Sequence, residues 1–169
     1  MRIVRSFMVF CAASAMALVV SPPASAAGEG TAGQGTACYR AHVSGLGWGD
    51  WFCGPDYYVG TVGQNRSIEA LQISLGGVGR YCVNAHLRNY GWQGQVCNDG
   101  VGATHSVTVG TTGQNRPIEA LEISTKYEMI HGVAHVQNIG WMDEAWGSTI
   151  RLGTEGRALS MEAVALWFE

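Results

Sequence analysis

The chain has 169 residues, enough for one domain once its N-terminal segment is set aside. Ten basic residues face thirteen acidic ones for a formal charge of −3, and Lys126 is the only lysine. That balance offers no basic patch to neutralise phosphates, so nucleic acid is not an expected partner.

The first element is a secretory signal. Arg2 and Arg5 give a positive start, Phe7 to Val20 is apolar, and Ala24-Ser25-Ala26 is a small-residue cleavage site. Residues 1–26 are therefore read as a signal peptide, whose apolar run is too short to span a bilayer. Cys11 follows Phe10 rather than a small residue, which argues against lipid attachment. Cleavage removes both arginines and takes the formal charge from −3 to −5. No second hydrophobic stretch follows, and the last residues belong to a repeat rather than to an anchor. A secreted, extracellular protein is expected, held at a cell surface only through what it binds. Residues 27–36 read as a Gly-rich leader and residues 37–169 as a single β domain.

That domain is built from one pattern written three times, at about residues 37–79, 80–128 and 129–169. Ala41 to Trp48 (AHVSGLGW) precedes Gly60 to Leu75 (GTVGQNRSIEALQISL). Ala85 to Trp92 (AHLRNYGW) precedes Gly110 to Thr125 (GTTGQNRPIEALEIST). Ala134 to Trp141 (AHVQNIGW) precedes Gly153 to Phe168 (GTEGRALSMEAVALWF). Alternation is by two, the period of a strand. Tyr39, Ala41 and Val43 share one face, as do Tyr81, Val83, Ala85 and Leu87. Glu69, Leu71, Ile73 and Leu75 share another, with Ile68, Ala70, Gln72 and Ser74 opposite. The three histidines of the pattern are spaced 44 and 49 residues apart. Repeats of this length cannot enclose a core singly, but three can close around a pseudo-threefold axis. The predicted fold is all-β, three repeats forming one closed domain, β-prism-like, with a β-trefoil-like arrangement as the alternative. The second repeat is longest between Cys97 and Gly110, so Val101 to Ser106 is expected to protrude as a loop.

Four cysteines remain after cleavage. Cys38 and Cys82 each stand four residues before the repeat histidine, and Cys53 and Cys97 each stand five after the Gly-Trp tryptophan. Equivalent placement predicts Cys38–Cys53 and Cys82–Cys97 bridges. In the third repeat both positions change together, to His131 and Trp146, residues that can stack. A zinc site built from all four cysteines is the disfavoured alternative, because CxxC spacing is absent.

These linked segments resemble the clostridial hydrophobic repeat with a tryptophan signature, the ChW repeat. The resemblance covers nearly the whole mature chain. It implies a secreted or surface protein of Gram-positive bacteria that acts in adhesion or binds polymers or proteins, and it brings no catalytic residue set. The third repeat departs most, with Arg157-Ala158-Leu159 where the others have Gln64-Asn65-Arg66 and Gln114-Asn115-Arg116.

A residue written three times is most simply structural. Trp48, Trp92 and Trp141 could stack on sugar rings, but triplication beside apolar strands favours core plugs. Glu69, Glu119 and Glu162 sit on apolar faces, where a carboxylate needs partners; the neighbouring Gly-Thr turn or a Trp N–H is expected to supply them. Acid–base pairing as in glycoside hydrolysis is improbable, since the three surroundings are alike. His42, His86 and His135 could form a metal site, but their alternation puts them on the outer sheet face, so no metal and no cofactor are expected. Ligand-binding candidates are instead residues that occur once. They are Asp50, Trp51, Asp56, Tyr57 and Tyr58 in the first repeat, then Gln95, Asn98 and Asp99 in the second. Together these features predict a non-enzymatic module at the bacterial surface that binds an extracellular polysaccharide. A protein-interaction or structural role is the alternative.

Overall fold

The computed structural model describes residues 35–98 and 106–169. The expected signal peptide, residues 27–34 of the leader, residues 101–105 of the expected Val101 to Ser106 loop and Asp99 lie outside the described residues.

Among the described residues, each repeat supplies five strands in the same order. The first gives β1 (Thr36–Val43), β2 (Gly47–Trp48), β3 (Phe52–Cys53), β4 (Val59–Gly60) and β5 (Ile68–Gly76). The second gives β6 (Tyr81–Leu87), β7 (Gly91–Trp92), β8 (Val96–Asn98), β9 (Val107–Gly110) and β10 (Ile118–Thr125). The third gives β11 (Ile130–Val136), β12 (Gly140–Trp141), β13 (Ala145–Gly147), β14 (Thr149–Gly153) and β15 (Met161–Trp167).

The strands form three similar antiparallel sheets, one per repeat. In the first, β1 and β5 are central, and β2 and β3 pair with opposite ends of β1. The far edge is not the repeat's own. There β5 pairs with β9 of the second repeat, β10 pairs with β14 of the third, and β15 pairs with β4 of the first. Each repeat therefore donates its fourth strand to the sheet before it, and the donation returns to its starting point after three steps.

A Gly-Thr pair makes each donation possible. The amides of Thr61, Thr111 and Thr154 donate to the carbonyls of Glu162, Glu69 and Glu119, each at 2.8 Å. The preceding glycines, Gly60, Gly110 and Gly153, hold φ of 102°, 90° and 86°. A Cβ on any of them would collide with that same glutamate carbonyl. Only glycine fits both the dihedral and the approach.

Alternation then decides what is inside. Tyr39, Ala41 and Val43 of β1 face Leu71, Ile73 and Leu75 of β5, and the matching residues of the other sheets join them in one core. The buried Tyr39 hydroxyl donates to the Tyr57 carbonyl at 2.7 Å and accepts from the Leu166 amide at 3.0 Å, which ties the first repeat to the third. Burial pushes this phenol above its ordinary pKa.

The two disulfides are Cys38–Cys53 and Cys82–Cys97, each joining directly paired residues of neighbouring strands. In the third sheet His131 and Trp146 hold the same paired register, and their rings stack at 6.3 Å.

Candidate functional site

One irregularity recurs in every sheet. Val43 pairs with Ile68 and His42 with Ala70, so Glu69 is an extra residue without a partner across the ladder. Glu119 and Glu162 are skipped in the same way. Such a bulge resets the alternation and turns its extra side chain to the face of the residue opposite. Strict alternation puts Glu69 with Leu71; the bulge puts it with His42 instead. The carboxylates of Glu69, Glu119 and Glu162 lie 3.3, 3.4 and 3.1 Å from Nδ1 of His42, His86 and His135. None of these Nδ1 atoms has an aligned hydrogen bond, so the pairing is a close electrostatic contact rather than a directed bond. The expected partners of the glutamates are thus corrected. The Gly-Thr turn bonds their backbone carbonyl, and the side chain meets histidine. Glu119 also accepts from Arg88 Nε at 3.0 Å.

The Gly-Trp tryptophans stand on this same outer face. Each packs edge-on against its histidine with ring centroids 5.4 Å apart. They are not core plugs: Trp48 and Trp141 are 36% and 43% exposed, and Trp92 is half-buried. The reason is register, since Trp48, Trp92 and Trp141 pair with the outward histidines. Each repeat therefore carries a Glu–His–Trp row running from buried to exposed.

The rest of the outer face differs between repeats. In the first, the Arg40 guanidinium lies over both Trp48 and Trp51, at 5.1 and 5.2 Å, and its Nε donates to Gln72 at 2.6 Å. In the second, Arg151 lies over Trp92 at 5.6 Å and donates to Glu122 at 2.7 Å, while the Trp92 indole donates to Glu155 at 3.1 Å. In the third, Tyr58 takes the place of Arg151 and meets Trp141 edge-on at 5.5 Å.

The first-repeat candidates divide between neighbouring surroundings. Asp50 and Tyr58 line a groove of about 420 Å³ with Trp48, Phe52, Val59 and Thr61. Trp51 belongs to the Arg40 stack, and Tyr57 packs on Phe52 at 5.4 Å beside the Cys38–Cys53 bridge. Asp56 is exposed and does not line the groove. In the second repeat Gln95 is exposed and donates to Glu122 at 3.4 Å, and Asn98 hydrogen-bonds the buried Tyr81 phenol. Among the described residues, no group of three or more His, Cys, Asp or Glu side chains is placed to hold a metal.

Sequence reasoning missed Arg40 and Phe52. Arg40 alternates with the inward Tyr39 and Ala41, which makes it outward-facing, but nothing local indicates that it spans two tryptophans. Phe52 sits between Trp51 and Cys53, a position with no periodic signal.

A family model described as Clostridial hydrophobic W matches residues 42–77, 86–126 and 135–169. No curated protein and no solved structure matches the chain.

Proposed function

Since the chain belongs to the Clostridial hydrophobic W family through all three of its repeats, we propose that it is a secreted, non-enzymatic module that binds a carbohydrate polymer at the bacterial surface. The groove beside Trp48 carries this reading. It brings the aromatic rings of Trp48, Phe52 and Tyr58 together with the Asp50 carboxylate and the main chain of Gly47, Gly49 and Gly60. Aromatic rings suit the C–H face of a pyranose, and a few fixed polar groups suit its hydroxyls. Two disulfides and the N-terminal apolar segment support export. The cyclic strand donation supports a prism-like closure of the three sheets.

The glutamates support a structural role. Each faces a histidine in matching geometry, whereas an acid and a base need different surroundings. A hydrolase reading therefore gains nothing from them.

The protein-interaction reading has one observation in its favour. Leu46, Tyr90 and Ile139 occupy the same turn position in the three repeats and are 59%, 60% and 41% exposed. Glycan-array binding by the purified protein separates the two. A hit weakened at least tenfold by Asp50→Ala or Phe52→Ala, with the melting temperature kept, supports the groove. No glycan hit, together with co-purifying chains lost on Leu46→Ser/Tyr90→Ser/Ile139→Ser, supports protein interaction.

A further inference from the structure

The middle row of the third sheet's outer face has lost the charges of the other two. The rows follow from register. In the first sheet the middle row is Arg40–Gln72–Thr108, and in the second it is Asn84–Glu122–Arg151. In the third, Val133 pairs with Ala165, and Tyr58 stands next in line just before β4. The arginine that covers Trp48 or Trp92 therefore has no equivalent here, and neither does the Gln72 or Glu122 side chain that anchors it. The row at the disulfide position changes as well. Cys53–Cys38–Ser74 becomes Trp146–His131–Trp167. His131 is sandwiched at 6.3 Å from Trp146 and 5.7 Å from Trp167, and its Nδ1 lies 2.5 Å from the Glu144 carboxylate.

The result is a short uncharged row, the half-buried Val133 and Ala165 at 7% exposure, between two aromatic walls. One wall is the Trp146–His131–Trp167 ladder. The other is Trp141 with Tyr58. His131 and His135 mark the walls four residues apart on β11, roughly 13 Å at the rise of a strand. Trp146 is 64% exposed and, with Trp141 at 43% and Tyr58 at 49%, it leaves three aromatic rings open to solvent on this face.

We propose that this face is a second binding surface, and that its occupant is a neutral, extended polysaccharide. The proposal rests on the carbohydrate reading above. Charge selects the class. The middle row of this face carries no charged side chain, so a charged partner laid across Val133 and Ala165 would be desolvated there with no counter-charge in that row. Sugar rings bring an apolar C–H face to each indole and keep their hydroxyls in water. Continuity selects a polymer over a single sugar. Tyr58 lines the first-repeat groove and also leans on Trp141, so one chain can run from the groove across the third sheet.

The test is retention of the purified protein on microcrystalline cellulose, colloidal chitin and insoluble mannan, in parallel with the soluble glycan array. Two variants probe the face. Trp146→Ala removes the exposed wall. Val133→Arg/Ala165→Gln brings the arginine–glutamine pair of the first sheet's middle row onto this face, at positions paired across β11 and β15. At least one polymer is expected to retain the wild type, with retention falling at least tenfold in both variants. Their melting temperatures and their array signal should be little changed. Retention unaffected by both variants but lost with Asp50→Ala overturns the second surface and leaves the carbohydrate reading standing. A wild type that none of the polymers retains overturns this proposal. If the array is blank as well, the carbohydrate reading falls with it. A wild-type dimer that both variants make monomeric, seen by sedimentation, would assign the face to a second copy of the chain and likewise overturn the proposal.

Discussion

The seams between repeats and the outer faces of the sheets have diverged to very different degrees. At the seams the three copies agree closely. The Thr amide to Glu carbonyl distance is 2.8 Å each time, and the glycine before each Thr holds a φ of 102°, 90° or 86°. On the outer faces, equivalent positions hold a disulfide or an aromatic stack, and an arginine or an alanine-valine floor. Where a position must satisfy a backbone carbonyl, a bulge and a buried carboxylate at once, substitution has few outlets. Where it faces water, each copy has been free to change. Triplication thus marks scaffold, and disagreement marks the places available for binding.

Substitution at a seam should have the largest effect. Gly110→Ala combines a left-handed φ with a backbone collision, and should cost at least about 3 kcal/mol in urea denaturation or prevent folding. Gly94→Ala has a similar φ, 99°, but open space around it, and should cost only about 1–2 kcal/mol. Equal losses would mean that the strand donation is not the sensitive point.

Next come the buried carboxylates. Glu119→Ala removes the carboxylate that faces both His86 and Arg88, leaving Arg88 its bonds to Ala158 and Ser160, and should cost about 3 kcal/mol. Glu69→Ala exposes only His42 and should cost less. Equal melting temperatures would show that Arg88 contributes nothing at the second seam.

The hairpin closures should be intermediate. Removing the Cys82–Cys97 bridge, which spans 15 residues, should cost about 3 kcal/mol. The converse change tests whether the stack and the bridge occupy one position. His131→Cys/Trp146→Cys should oxidise to a third disulfide, read as the absence of free thiol. Free thiols persisting under mild oxidation would mean that the paired register there does not bring the two side chains together.

The smallest effect is expected where the third repeat alone deviates. Asn65, Asn115 and Ala158 share φ of 51°, 51° and 52°, although alanine is the least suited of the three to that conformation. Ala158→Gly should stabilise by about 1 kcal/mol. Its carbonyl accepts from Arg88 at 2.7 Å, so a loss of stability instead would mean that the bond needs the constrained backbone.

Much of this was legible in the sequence because repeats supply their own controls. Inward faces such as Tyr81, Val83, Ala85 and Leu87 followed from alternation. The disulfides followed from equivalent spacing, and the His131–Trp146 stack followed from the joint replacement of two cysteines. The bulge was not legible. A single extra residue reverses the facing of Glu69 without changing the local pattern, so the carboxylate was given the wrong partners. The tryptophans were misplaced for a related reason. Their facing is set by the histidine across the ladder, not by their own neighbours in the chain. Strand donation was invisible as well, because β4, β9 and β14 are short and their partners lie in another repeat. The family pattern says where the copies are alike, but the contact between Tyr58 of the first repeat and Trp141 of the third crosses a seam that no single repeat shows.

The donated strand has a further consequence for assembly. A polypeptide of one repeat would present an unpaired sheet edge and, elsewhere, the strand that completes such an edge on its neighbour. Three identical chains would satisfy one another as a homotrimer, and two would leave an edge open. Three copies in one polypeptide convert that stoichiometry into connectivity, so each copy can mutate independently while its partners remain attached. A closed trio of identical subunits would have to change all three faces together. Linking them is what allows one face to keep its charges while another gives them up.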